Sequence, residues 1–292
     1  MEKLIGLAPE DFIHPVDKQA LDKLKNNVLF RKIMAEIIHQ GVERMYRIQY
    51  TGSCLKIDRD DYPEIYQVLD NCVQTLGVPE DLVPTLYTQY DYFINAFTTG
   101  EKEPLMVVYS GTLDLLDQAE QQYVIGHELG HILAHHVLYH MIVNSLVHVV
   151  DLGIVTTAIE LPMFYWLRMS EFSADRAGLL ATQDLEASIR AMIKMAGLPQ
   201  SQYDKINVQA FIDQAHDFDQ KNTGILDETV KFLSIAYSNH PWLVMRAAEL
   251  LKWVESGEYD RILREKKAIS CPHCDNTIPA GIEICPVCGL PH

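Results

Sequence analysis

Apolar positions recur every three to four residues along much of this chain, and that spacing predicts a mostly helical protein. Between residues 17 and 47 the stripe runs through Leu21, Leu24, Val28, Leu29, Ile33, Ile37 and Val42, with Asp17 placed to cap it after Pro15. A short strand is expected at Leu55-Lys56-Ile57. A helix then opens around Asp60–Glu64 and closes near Gly77-Val78-Pro79. Next come strand-like runs at Thr85–Thr88 and Tyr92–Phe97, a turn at Gly100, and the strongest strand signal of the chain at Leu105–Ser110. Helical spacing returns near Asp117 and Glu120, again at Glu171–Thr182 and Leu185–Ala196, and finally from Pro241 to about Glu255, with Gly257 as the stop. Residues 199–225 are polar and read as loop with helical turns. The expected fold is α+β, mostly helical, with a small mixed sheet packed on the helix that starts near Asp117.

The most apolar stretch, Met141–Leu167, needs its own test as a membrane span. Asp151 and Glu160 interrupt it, so no run of 18 uncharged residues survives within it. Asn144 and His148 would add cost in lipid. Packing into a core or against a partner is therefore expected ahead of contact with a membrane interface. With 292 residues the chain has room for one large domain and one small one, drawn here as 1–265 and 266–292. Its formal charge of -16 disfavours general nucleic-acid binding, which needs a basic surface. The first eleven residues lack a basic segment followed by a long apolar one, so a cytoplasmic location is the expectation. Four of the six cysteines form a metal-type pattern, and Cys54 and Cys72 are expected as buried thiols.

Chemistry enters at His127-Glu128-Leu129-Gly130-His131. Histidines four apart share one helix face and can reach one ion, and the glutamate between them can take a proton from water at that ion. Catalytic zinc takes three protein ligands and leaves one position for water. His135 lies about 12 Å from His127 along the axis, too far for a shared ion, and is expected to be structural or to support a ligand. Val137 stands where a metzincin needs histidine, which excludes that class. A glutamate from a later helix remains, and Glu171 stands out because Asp175, one turn on, could hold a ligand histidine by its free ring nitrogen. Taken alone, that carboxylate pair would pass for a solvated helix face.

These motifs resemble the HtpX-like and type I CAAX prenyl protease-like zinc metallopeptidases, which are gluzincins. The resemblance rests on His127–His131, on Glu171-Phe172-Ser173-Ala174-Asp175, on Ser238-Asn239-His240-Pro241 followed by Arg246, and on Asn95-Ala96-Phe97 upstream of Leu105–Ser110. It implies a zincin-like domain with zinc on His127, His131 and Glu171, and Glu128 as catalytic base. Asp175 would support a ligand. His240 would lie beside the metal, either aiding the transition state or capping the zinc in a latent form, and Arg246 would fix that loop. An extended peptide substrate would add as a strand to Leu105–Ser110, with Val107 and Tyr109, or to Asn95, Ala96 and Phe97 beside it. Membrane members of the family carry spans between the two ligand helices, where this chain has the poorly span-like Val137–Arg168.

At the end of the chain, Cys271-Pro-His-Cys274 and Cys285-Pro-Val-Cys288 lie ten residues apart. Two such knuckles complete a closed tetrahedral site, so a second, structural zinc in a small ribbon is expected. A segment this short needs the metal for its folding. Arg261, Arg264, Lys266 and Lys267 are nearly balanced by Glu265, Asp275 and Glu283, which points to a protein partner for the ribbon rather than nucleic acid. The leading expectation is a zinc endopeptidase acting on peptide or protein substrates. Its rival is a latent, adaptor-like protein whose site is capped by His240.

Overall fold

The structure, a computed structural model, describes residues 1–39, 41–149, 154–222, 224 and 240–291. Its helices are α1 (Pro9–Phe12), α2 (Pro15–Lys25), α3 (Val28–His39), α4 (Val42–Ser53), α5 (Pro63–Leu76), α6 (Ser110–Leu115), α7 (Gln118–Leu133), α8 (Val137–Val149), α9 (Ile154–Thr182), α10 (Leu185–Met195), α11 (Val208–Lys221), α12 (Leu243–Glu255) and α13 (Glu258–Lys266). The strands are β1 (Leu55–Lys56), β2 (Thr85–Gln89), β3 (Ala96–Thr99), β4 (Leu105–Tyr109), β5 (Ala268–Ser270) and β6 (Thr277–Pro279). The chain is thus mostly helical with a small mixed sheet, as its periodicity predicts.

Several elements differ from the sequence reading for local reasons. The single stripe over 17–47 is three helices, broken at Asn26-Asn27 and at Gly41, whose φ of 76° is left-handed and favours glycine. The strand expected at Tyr92–Phe97 starts only at Ala96 and continues to Thr99. Glu171 sits deep within α9, which begins well upstream, at Ile154, and accommodates Pro162. Residues 208–221, read as loop with helical turns, form a full helix whose Asn207 side chain caps the Ala210 N–H; only Phe211 and Ala215 on it are buried, so its apolar stripe is thin. Another helix, α13, leads into the cysteine segment.

The sheet has the order β1-β2-β4-β3, with β2 and β4 parallel and the other pairs antiparallel. Strand β4 is therefore interior and β3 is an edge. One apolar core joins α5, α7, the C-terminal half of α9, α10 and α12 to the sheet. A second gathers α2, α3, α4, α8 and the first part of α9 around Leu24, Phe30, Ile142 and Trp166. Met141, Ile142, Val143, Met163, Phe164 and Leu167 from the most apolar stretch are buried. No helix of the described residues is long and apolar enough to cross a membrane. Asp151 lies outside the described residues, as do the side chains of Asn144, His148 and Glu160.

The approach of α7 to α9 sets up the site. Gly126 and Gly130 lie one turn apart on α7. A Cβ on Gly126 would stand 2.3 Å from that of Ala181, and one on Gly130 would stand 2.5 Å from that of Ala177. Small residues on both helices let the backbones meet closely, which brings the α9 carboxylates within reach of the α7 histidines. At the N-terminus of α7, Asp117 and Glu120 form a reciprocal capping box. Glu120 is also fully buried and paired with Lys194 of α10 at 2.6 Å.

Candidate active site

His127, His131 and Glu171, all buried, bring their ligand atoms together. The two Nε2 atoms are 3.2 Å apart; Glu171 Oε2 is 3.5 Å from His127 Nε2, and Oε1 is 3.4 Å from His131 Nε2. Ligands about 2.0–2.1 Å from a tetrahedral zinc stand about 3.3 Å from one another. The three distances fit that spacing.

The outer ring nitrogens are engaged, which leaves each Nε2 to face inward. His127 Nδ1 meets Asp175 Oδ1 at 3.0 Å. Asp175 also accepts from Tyr123 Oη at 2.6 Å and from Arg246 Nε at 2.9 Å. Arg246 reaches Glu171 Oε2 as well, at 3.2 Å from Nη1. His131 Nδ1 meets His136 Nδ1 at 3.1 Å, and His136 Nε2 reaches Asp17 Oδ2 at 3.1 Å. Asp17 also accepts from Trp166 Nε1 and Ser173 Oγ. Each candidate ligand histidine is thus backed by a buried carboxylate, directly for His127 and through a second imidazole for His131.

The charges follow from burial and pairing. Burial opposes the charge on Asp175, but Arg246 and His127 outweigh it and hold the carboxyl well below its usual range. Glu171 is likewise held low, against burial, by His240, His127 and His131. Burial also opposes a charge on His127, yet its bonds to Asp175 and Glu171 raise it. Burial pushes His131 down. Glu128, almost fully buried, is raised above an ordinary carboxylate by burial, although Thr98 Oγ1 donates to its Oε2 at 3.2 Å.

One oxygen, Glu171 Oε2, is buried and faces three nitrogens: His240 Nδ1 at 3.0 Å, Arg246 Nη1 at 3.2 Å and His127 Nε2 at 3.5 Å. A carboxylate oxygen kept ionised and set between two imidazole nitrogens suits a cation. His240 itself keeps 57% of its side chain exposed. Ser238 and Asn239, which share its motif, lie outside the described residues.

The cleft has two lobes that meet at Asn95, Ala96, Glu128, Glu171 and His240. One, about 300 Å³, is walled by Tyr46, Tyr50, Phe97, Tyr109 and Met141. The other, about 550 Å³, is lined by Phe93, Ile94, Val124, Met195, Trp242 and Leu243. Of the two strands considered for a substrate, β3 with Ala96 and Phe97 is the edge, and Asn95 precedes it. Val107 and Tyr109 lie on the interior strand β4, paired on both sides, so they cannot receive a further strand. The best strand signal was the wrong one for an edge because a strand enclosed on both sides is the most apolar.

Three further residues take places that only the fold defines. His135 is not behind a ligand: at φ 55° it turns the chain after α7, and its exposed side chain pairs with Glu101. The turn swings its neighbour His136 into that place. His140 lines the cleft with its ring 4.6 Å from that of His131 and its Nε2 against Ser170 Oγ. Asp17 was expected as a helix cap; instead His14 caps α2 and Asp17 is buried behind His136.

At the C-terminal end, the four Sγ atoms of Cys271, Cys274, Cys285 and Cys288 cluster, with Cys271–Cys288 at 3.8 Å and Cys274–Cys285 at 3.7 Å. Ligands about 2.3 Å from a tetrahedral zinc would lie about 3.8 Å apart. The residue after each knuckle is left-handed, Asp275 at φ 56° and Gly289 at φ 73°. This segment does not hang free. Ala268 N–H donates to Lys3 O, Ile5 N–H to Lys266 O, and Gly281 N–H to Glu265 O.

The model of peptidase family M48 matches residues 60–254, more than half of the chain, and the chain belongs to that family of metallopeptidases. The match spans α7, α9, β3 and Arg246. The chain is 29% identical over 271 residues to the plastoglobule-localized metallopeptidase 48, chloroplastic, of Arabidopsis thaliana, covering 88% of this chain and 76% of that one. It is 35% identical over 99 residues to a protease HtpX homolog of Tropheryma whipplei, 33% of each chain. It is also 25% identical over 198 residues to a protease HtpX homolog of Thermococcus sibiricus, covering 67% of this chain and 59% of the relative. No solved structure matches it.

Proposed function

We propose that this chain is a zinc-dependent endopeptidase, with His127, His131 and Glu171 holding the catalytic zinc and Glu128 acting as general base. The observation that carries this reading is the 3.2–3.5 Å triangle of ligand atoms, each histidine backed by a carboxylate, with Glu128 at the meeting point of the two cleft lobes. The zinc would polarise the scissile carbonyl and make an attacking water more acidic. Glu128 accepts the proton of that water and returns it to the leaving amine, with Thr98 orienting the carboxylate. The β3 edge pairs with the extended backbone of a protein substrate, and the two lobes take side chains on either side of the scissile bond. His240, which lines both lobes, would support the developing oxyanion. The same contact, 3.0 Å from His240 Nδ1 to Glu171 Oε2, favours a second reading in which His240 covers the site in a latent or adaptor-like state. The four cysteines would hold a structural zinc in a ribbon over residues 266–292 that recruits protein partners.

Metal analysis joined to casein cleavage tests the assignment. The intact protein is expected to carry two zinc ions and Cys271→Ser/Cys274→Ser one, with cleavage lost on chelation and restored by zinc. One zinc in the intact protein would remove the two-site scheme, and no cleavage by fully loaded protein would favour the latent reading.

His136→Ala tests the arrangement behind His131. Loss of a partner that orients a ligand costs about tenfold to a hundredfold in metal affinity. Zinc competition should show that drop at the catalytic site and none at the cysteine site. An unchanged catalytic-site affinity would mean that the Asp17–His136 pair does not orient His131.

A further inference from the structure

The second core supports a lobe of α2, α3, α4, α8 and the start of α9, and its outer surface is unusual in two ways. Among the large apolar side chains exposed in the described residues, Val28, Leu29, Ile38, Met45, Ile48 and Leu55 fall between residues 28 and 55. On α3, Val28, Arg31, Lys32, Ala35 and Ile38 face outward at helical spacing, while Phe30 is fully buried and Ile33 and Met34 pack on the core. This helix is apolar on both faces. The second property is charge. Residues 18–56 carry eight Lys and Arg against Asp22, Glu36 and Glu43, a sequence count of +5 in a chain of net -16; Arg47 among them is paired with Glu103, while Arg31, Lys32 and Arg44 are exposed. Beside α3, a groove of about 480 Å³ between α2 and α9 is floored by Ala20, Leu24, Leu161, Pro162 and Tyr165, with Lys23 among its lining.

We propose that this lobe docks on an anionic phospholipid surface, with α3 in the interface and Arg31, Lys32 and Arg44 toward the headgroups. Apolar exposure alone would suit several occupants; the charge decides among them. A basic patch on an acidic chain is drawn to an anionic surface while the rest of the molecule is held away from it, so binding is oriented. A second copy would bring two positive lobes face to face, which disfavours a symmetric dimer through this patch. The contact is peripheral, since no described helix can cross a membrane. Tyr46 and Tyr50 of α4 and Met141 of α8 belong to this lobe and also wall the cleft, so docking would hold the cleft beside the lipid.

Flotation of the full-length protein with vesicles provides the test. Vesicles of phosphatidylcholine alone are compared with vesicles of three parts phosphatidylcholine to one part phosphatidylglycerol. Binding is expected on the anionic vesicles, about tenfold weaker on the neutral ones, and lost at high salt. Arg31→Glu/Lys32→Glu should cut the bound fraction about tenfold, and Val28→Ser/Ile38→Ser should weaken it with the charge intact, both leaving casein cleavage in solution unchanged. No binding to anionic vesicles, or equal binding to both kinds, overturns the proposal. So does self-association in sedimentation that Val28→Ser/Ile38→Ser abolishes, which would assign the face to a second copy.

Discussion

Glu128→Gln should leave the zinc content unchanged and lose peptide turnover by about a thousandfold, within the range that a positioned general base supplies. The substitution is nearly isosteric and removes no metal ligand. The amide carbonyl of the variant can still accept from Thr98, whose hydroxyl now meets the Glu128 carboxylate at 3.2 Å. What changes is the capacity to take a proton. Burial raises the Glu128 pKa above its ordinary 4.5, making it a stronger base than an exposed glutamate. In the metal-stripped protein Glu128 should therefore stay protonated to higher pH than an exposed glutamate, and bound zinc would act against that shift. Casein cleavage and zinc content, measured on one preparation, check the claim. Turnover equal to wild type in a zinc-loaded Glu128→Gln protein would rule out the general-base scheme and leave the cleft to another chemistry.

The parts of this site that are local in sequence were legible there, and the parts made by tertiary turns were not. His127 and His131 are one helical turn apart, so periodicity alone put them on one face. Glu171 and Asp175 were readable for the same reason once a third ligand was sought. The support behind His131 was not readable. Asp17 lies far from His136 along the chain, and the left-handed His135 decides which of two adjacent histidines turns inward. Strand order was hidden as well, since apolar content reports enclosure rather than edge position. That is why β4 attracted an edge assignment that, of the two strands considered, only β3 can take. The α11 helix was legible only as possible helical turns in a polar loop, because little of it is buried. In the resemblance Arg246 held a loop, but in the fold its guanidinium also grips both α9 carboxylates.

Arg246→Met should cost about 3–5 kcal/mol in the metal-stripped protein, the usual range for leaving a buried charge without its partner. Arg246 is almost fully buried on α12. Its guanidinium meets both oxygens of Asp175 and reaches Glu171 Oε2 at 3.2 Å, so one cation serves two buried carboxylates. Methionine fills much of the same volume but leaves Asp175 with only Tyr123 and His127, and Glu171 with only imidazoles. Zinc would supply part of the missing positive charge at Glu171, so the loss should be smaller in loaded protein. Urea unfolding of wild type and variant, each with and without zinc, measures that difference, and the cysteine site cancels between them. Arg246→Lys should fall between the two, because an ammonium offers one point charge where the guanidinium makes a planar fork with Asp175. A loss below about 1 kcal/mol in the stripped protein would show that the carboxylates are neutralised by other means. A loss that zinc does not reduce would separate Arg246 from the Glu171 charge and leave it as the partner of Asp175 alone.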